Sequence, residues 1–139
     1  MFSMDLGSPK YGGHVIVALS GELDLVDAAD VAAALGTIAA REPRIIVDLA
    51  GLDFIDCRGV AALVRGRVQA RGAGGDLLLA APRRQVQRVI AIVCVADGPA
   101  VYASVEEAAA SHGHSQRGIV PRQRSSMRWQ RILMNAFAR

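Results

Sequence analysis

Aromatic side chains are nearly missing from this chain: three Phe, two Tyr and one Trp make up only 4% of 139 residues. The core must therefore be assembled from Ala, Val, Leu and Ile. A hydrophobic content of 52% and a mean hydropathy of +0.27 exclude a wholly disordered chain. Cysteine is equally scarce. Two residues, Cys57 and Cys94, cannot staple a secreted disulfide scaffold. Long apolar runs are lacking too. The longest nearly unbroken ones, Val31–Ala40 and Val89–Ala96, are too short to span a bilayer. Met1–His14 offers no apolar stretch of signal-peptide length, so a soluble cytoplasmic protein is expected. Acidic residues are missing from 113–139, which carry six Arg, whereas 1–112 carry 10 Lys and Arg against 13 Asp and Glu. The formal charge of +3 thus divides into −3 for the domain and +6 for the tail. A mildly acidic domain makes a poor phosphate-tracking surface, and direct nucleic-acid binding is not expected.

What remains is an alternation of short apolar strands and Ala-rich helices. His14–Ser20 is β-branched and stopped by Gly21, which reads as a strand. Ala28–Arg41 places Val31, Leu35 and Ile38 at helical spacing, with Asp27 and Asp30 at its positive end, and Pro43 closes it. Arg44–Leu49 is a continuous apolar run, as in a strand buried on both faces. A loop over Ala50–Arg58, anchored by Leu52, Phe54 and Ile55, leads into a helix over Gly59–Arg71. Asp76–Ala80 reads as a strand, Arg83–Val93 as a helix, Val101–Ala103 as a short strand and Val105–Ser111 as a last helix. Such alternation implies βαβ units and a mainly parallel mixed sheet of four to five strands against about four helices. One domain is expected over 1–112. A basic tail over 113–139 should begin as a linker at His112-Gly113-His114-Ser115.

No catalytic constellation stands out. Gly72-Ala73-Gly74-Gly75 lies between a helix and the next strand, the reverse of phosphate-binding loops, and reads as a helix cap and turn. His112 and His114 have no ligand partners at metal-binding spacing, so neither a metal nor another cofactor is expected. His14 opens a strand and reads as a surface residue. Asp48, Asp53 and Asp56 gather at a strand's C-terminal end, where α/β proteins place ligands and partners, although turn stabilisation is the commoner fate of such carboxylates.

Four stretches together resemble a known family. Gly21-Glu22-Leu23-Asp24 matches a Gly-Glu-Leu-Asp turn. Asp48–Gly59 matches Asp-Leu-x-x-(Val/Leu)-x-Phe-(Ile/Met)-Asp-Ser-Ser-Gly. Arg88–Val95 is similar to Arg-Val-Leu-x-Leu-Thr-Gly-Leu, and Ser104–Ala108 to Ser-Val-Glu-Glu-Ala. This pattern, spanning about His14 to Ala110, resembles the STAS domain of bacterial anti-sigma factor antagonists. The resemblance implies a non-enzymatic regulator that binds an anti-sigma factor of the GHKL serine-kinase type and so releases a sigma factor. It also implies a switch in which the second serine of Asp-Ser-Ser-Gly is phosphorylated. Here the two serines are Cys57 and Arg58. Arginine has no hydroxyl to accept a phosphoryl group, so the charge change of about −2 cannot arise at Arg58.

The residues expected to meet the partner are Glu22 and Asp24, then Asp56, Cys57, Arg58 and Gly59, and Arg65 on the exposed face of the following helix. Helix capping is the plain alternative for Asp24, and turn stabilisation for Asp56. A STAS subunit of a membrane lipid-transport ATPase, which needs no phosphosite, is the rival reading. A redox switch through Cys57 and Cys94 is a further alternative to two buried, inert thiols. In the tail, Met127, Trp129, Ile132, Leu133 and Phe137 are spaced as one apolar helical face among arginines. Such a helix can lie on an anionic membrane, bind an acidic partner or fold back on the acidic domain; fold-back, or disorder when isolated, is the favoured reading.

Overall fold

The computed structural model describes residues 2–94 and 98–118, with 6–11 and 112–118 as backbone alone. Along the chain run β1 (Ser3–Tyr11), β2 (His14–Leu23), α1 (Leu25–Arg41), β3 (Arg44–Ile55) and α2 (Cys57–Gly72). They are followed by β4 (Asp76–Ala80), α3 (Arg84–Val93), β5 (Val101–Tyr102) and α4 (Val105–Gly118). The five strands lie in the order β1-β2-β3-β4-β5, with β1 antiparallel to β2 and every other pair parallel. Because successive parallel strands step the same way across the sheet, right-handed crossovers put α1, α2 and α3 on one face. That face holds the main core, where Val31 and Leu35 of α1, Leu63 of α2 and Ile90 of α3 meet Val17, Ile45, Val47 and Leu79. The alternate residues Ile46, Leu78 and Ala80 point to the other face and are covered by Ala108 of α4.

One strand is added to the sequence reading and three expectations change. Ser3–Tyr11 is a strand, although its Gly7 and Pro9 break any alternation; the β1–β2 register shifts between Leu6 and Lys10 to absorb them. Pro is tolerated there because β1 is an edge strand. β3 continues to Ile55 through the segment read as a loop, pairing Gly51–Ile55 with Ser20–Leu23 across two register shifts. His14 is fully buried, not a surface residue. β2 lies between β1 and β3, and His14 shares the face of Ile16, over which α4 packs. α4 also runs on to Gly118, so helical backbone replaces the linker expected from His112. The apolar face expected around Trp129 lies outside the described residues.

Candidate functional site

The C-terminal ends of β2 and β3 form a rim from which α1 and α2 both depart. Each departure is fixed by an aspartate. Asp24 caps α1, its Oδ1 accepting from the Val26 N–H at 3.0 Å, and its carbonyl accepts from Ala28 at 3.0 Å. Asp56 caps α2, its Oδ1 accepting from the Gly59 N–H at 2.9 Å, while its carbonyl accepts from Val60 at 3.1 Å. Both carboxylates thus satisfy donors that a helix start leaves unpaired, and add negative charge at the positive end of a helix. The Asp56 N–H donates to the Leu23 carbonyl at 3.2 Å, locking the two departures together. Loss of the Asp56 cap in Asp56→Ala should cost about 1 kcal/mol, seen as a lower urea midpoint at unchanged slope.

The other aspartates have similar backbone and ion-pair duties. Asp48 Oδ1 accepts from the Ala50 N–H at 3.0 Å, bending β3 where its register first shifts. Asp53 pairs with Arg83 at 2.5 Å, and Arg83 also donates to the Ala50 carbonyl at 2.9 Å. Gln85 donates to the Asp53 carbonyl, so the start of α3 is clamped to the end of β3. Ala81, at φ +57°, turns the chain from β4 into that clamp.

The rim also carries apolar surface that sequence reasoning missed. Leu25 is 57% exposed, Val26 79% and Phe54 48%. Phe54 was expected to anchor a loop with Leu52 and Ile55. Only those two are buried, and Phe54 instead stands beside Glu22 in the β2–β3 register. An apolar residue near a strand end gives no sign of whether a helix covers it. Cys57 and Arg58 are exposed in the first turn of α2, and Gly59 is buried beneath them. Glu22, Asp24, Asp56, Cys57, Arg58 and Gly59 are therefore gathered at one rim. Arg65 is half-buried further along α2, not on an open face.

Cys94 is not part of this rim. It caps the far end of α3, where Gly98 packs so closely that a Cβ there would overlap the thiol. Arg67 donates to the Gly98 carbonyl at 3.2 Å and to Asp76, the first residue of β4, at 3.2 Å. Cys94 thus lies at the N-terminal ends of the strands and Cys57 at their C-terminal ends, too far apart for a bridge. Burial pushes the Cys94 thiol up from 9.0 to about 11, with the Arg67 guanidinium opposing the shift. Among the described residues no cluster of three metal-ligating side chains occurs. No described helix is long and apolar enough to cross a membrane.

Comparison with known proteins agrees with this architecture. None of the curated proteins matches the chain in sequence. An anti-sigma factor antagonist from Mycobacterium paratuberculosis superposes with a TM-score of 0.70 at 20% identity, over 81% of this chain and 95% of that one. The anti-sigma factor antagonist SpoIIAA in its unphosphorylated form gives 0.57 at 23% identity, over 86% and 100%. A murine anion transporter of the solute carrier 26 family gives 0.64 at 20% identity, over 76% of this chain but only 18% of the transporter. These likenesses establish the fold. The sequence profile of the STAS domain matches residues 7–108, and the chain belongs to the STAS domain family.

Proposed function

We propose that the chain is an anti-sigma factor antagonist that binds an anti-sigma factor of the GHKL serine-kinase type and so releases a sigma factor. The observation that carries this reading is the rim. Three of the large exposed hydrophobics, Leu25, Val26 and Phe54, surround the capped start of α2, where the resemblance places the partner. Exposed apolar anchors beside a rigid polar frame suit a protein interface. Solved structures of the same fold, themselves antagonists, support the partner class. Arg58 is exposed at the acceptor position and has no hydroxyl, so the complex is indifferent to kinase activity at that position.

The test is binding to the serine-kinase anti-sigma factor of the same genome, with ATP present. The expected result is a stable complex, no phosphate on residues 57 and 58 by intact mass, and at least about tenfold weaker binding in Phe54→Asp and Val26→Asp. No complex, or a phosphate on Arg58's peptide, would overturn the reading. A second reading is a STAS subunit of a membrane lipid-transport ATPase; that the same fold also occurs within an anion transporter is compatible with a STAS domain in a transport machine. Co-purification with an ATP-binding-cassette ATPase instead of the kinase would favour it.

A further inference from the structure

Arg58 stands apart from Arg67 and Arg83 in having no counter-charge. Arg67 pairs with Asp76 at 3.2 Å and Arg83 with Asp53 at 2.5 Å. Arg58 is exposed and, among the described residues, joins no ion pair. The carboxylates of the two caps are committed elsewhere: Asp56 Oδ1 accepts from the Gly59 N–H at 2.9 Å and Asp24 Oδ1 from the Val26 N–H at 3.0 Å. The position itself works against a cation. Arg58 is the second residue of α2, at the positive end of the helix, where a like charge is disfavoured. Its backbone is also held in place. The first turn rests so closely on Ile55 and Leu23 that a Cβ at Gly59 would stand 2.7 and 2.9 Å from their buried side chains. A fixed, unpaired guanidinium on the rim calls for an anion supplied from outside the chain.

We propose that Arg58 binds the γ-phosphate of the ATP held by the partner, so that the triphosphate tightens the complex. The inference rests on the partner being a serine kinase, as proposed above. A kinase acting on a hydroxyl must bring the γ-phosphorus to about 3–3.5 Å from that oxygen. The resemblance puts that hydroxyl at position 58. A serine there uses up the γ-phosphate by accepting it. Arginine cannot accept it, but its planar fork of N–H donors matches two phosphate oxygens at once. No bond is made or broken, and the phosphate stays on the nucleotide. ATP and ADP differ by the γ-phosphate alone, so the contact is made with one and lost with the other. By linkage, this chain raises the partner's affinity for ATP by the same factor by which ATP raises the affinity for this chain.

The experiment measures binding to the serine-kinase anti-sigma factor of the same genome, loaded with magnesium and either ADP or adenylyl imidodiphosphate, whose γ-phosphate is not transferred. Affinity should be at least about tenfold higher with the triphosphate analogue, as expected for charge-assisted hydrogen bonds. Arg58→Gln, which removes the charge, should bring the ratio of the two affinities close to unity, and Arg58→Lys should retain part of it. Phe54→Asp should weaken both states and keep the ratio. Displacement of a fluorescent nucleotide from the partner should show a matching gain in affinity for the triphosphate analogue when this chain is added, and none with Arg58→Gln. Equal affinity in the two nucleotide states overturns the proposal, as does weaker binding with the triphosphate or a ratio that survives Arg58→Gln. A loss in Arg58→Gln that is the same in both states marks a carboxylate of the partner as the counter-ion and overturns it too. In each of these outcomes the complex still forms, and the functional reading stands. Absence of binding in every nucleotide state overturns that reading together with the inference.

Discussion

Gly59→Ala is expected to destabilise the protein by about 2 kcal/mol, as overpacking of a close contact does. The sign is informative, because Gly→Ala inside a helix ordinarily gains about 1 kcal/mol. A Cβ at Gly59 would stand 2.7 Å from Ile55 Cγ1, 2.9 Å from Leu23 Cγ and 3.0 Å from the Leu23 carbonyl oxygen. Leu23 and Ile55 are fully buried and paired across β2 and β3, so neither can yield without moving the rim. Gly72 at the other end of α2 meets nothing within 4 Å, and Gly72→Ala should be neutral or mildly stabilising. Urea titration of both variants tests the contrast. Equal, small gains would mean that the first turn of α2 does not rest on Leu23, and the geometry built on that contact would fall with it. The contact matters because it holds exposed Cys57 and Arg58 at a fixed height beside Glu22 and Asp24.

The sequence made the repeating βαβ frame legible because its apolar residues obey a period. Val31 and Leu35 point inward as a helix requires, and Ile45–Val47 are buried on both faces as a central parallel strand requires. The helix caps were legible for a local reason: Asp24 and Asp56 act on N–H groups two and three residues away, independent of the remainder of the fold. Features that depend on distant neighbours were not. β1 has Gly7 and Pro9 within it and owes its strand form to pairing with β2. The second half of β3 contains Gly51 and Asp53 and is flanked by Asp48 and Asp56, all of them turn signals, yet it is extended because β2 lies alongside it. His14 is fully buried although it opens β2, a consequence of the layers packed around the sheet that its own position in the sequence does not signal. Phe54 is exposed because no described helix covers the end of β3 on its side, a fact of layer geometry that hydropathy does not encode.

Thiol labelling of the native protein at pH 8 should proceed in two well-separated phases, one equivalent at Cys57 and a second at Cys94 slowed at least about a hundredfold. The thiolate is the reacting species, and a thiol with its pKa raised from 9.0 to about 11 holds about a hundred times less of it at this pH. Partial burial slows Cys94 further, whereas Cys57 is exposed. Cys57→Ser should abolish the fast phase and Cys94→Ser should leave it intact; in denaturant the two residues should react alike. The same shift makes a statement about stability. The folded state retains the Cys94 proton where the unfolded state releases it, so this residue's contribution is fully present below pH 9 and is lost as pH rises towards 11. Cys94→Ala should flatten that part of the pH profile. Mild oxidation should yield disulfide-linked dimers through Cys57 and no internal bridge, since the thiols occupy opposite ends of the sheet. An internal Cys57–Cys94 disulfide in protein that still binds its partner would refute that geometry and restore a redox switch to this site.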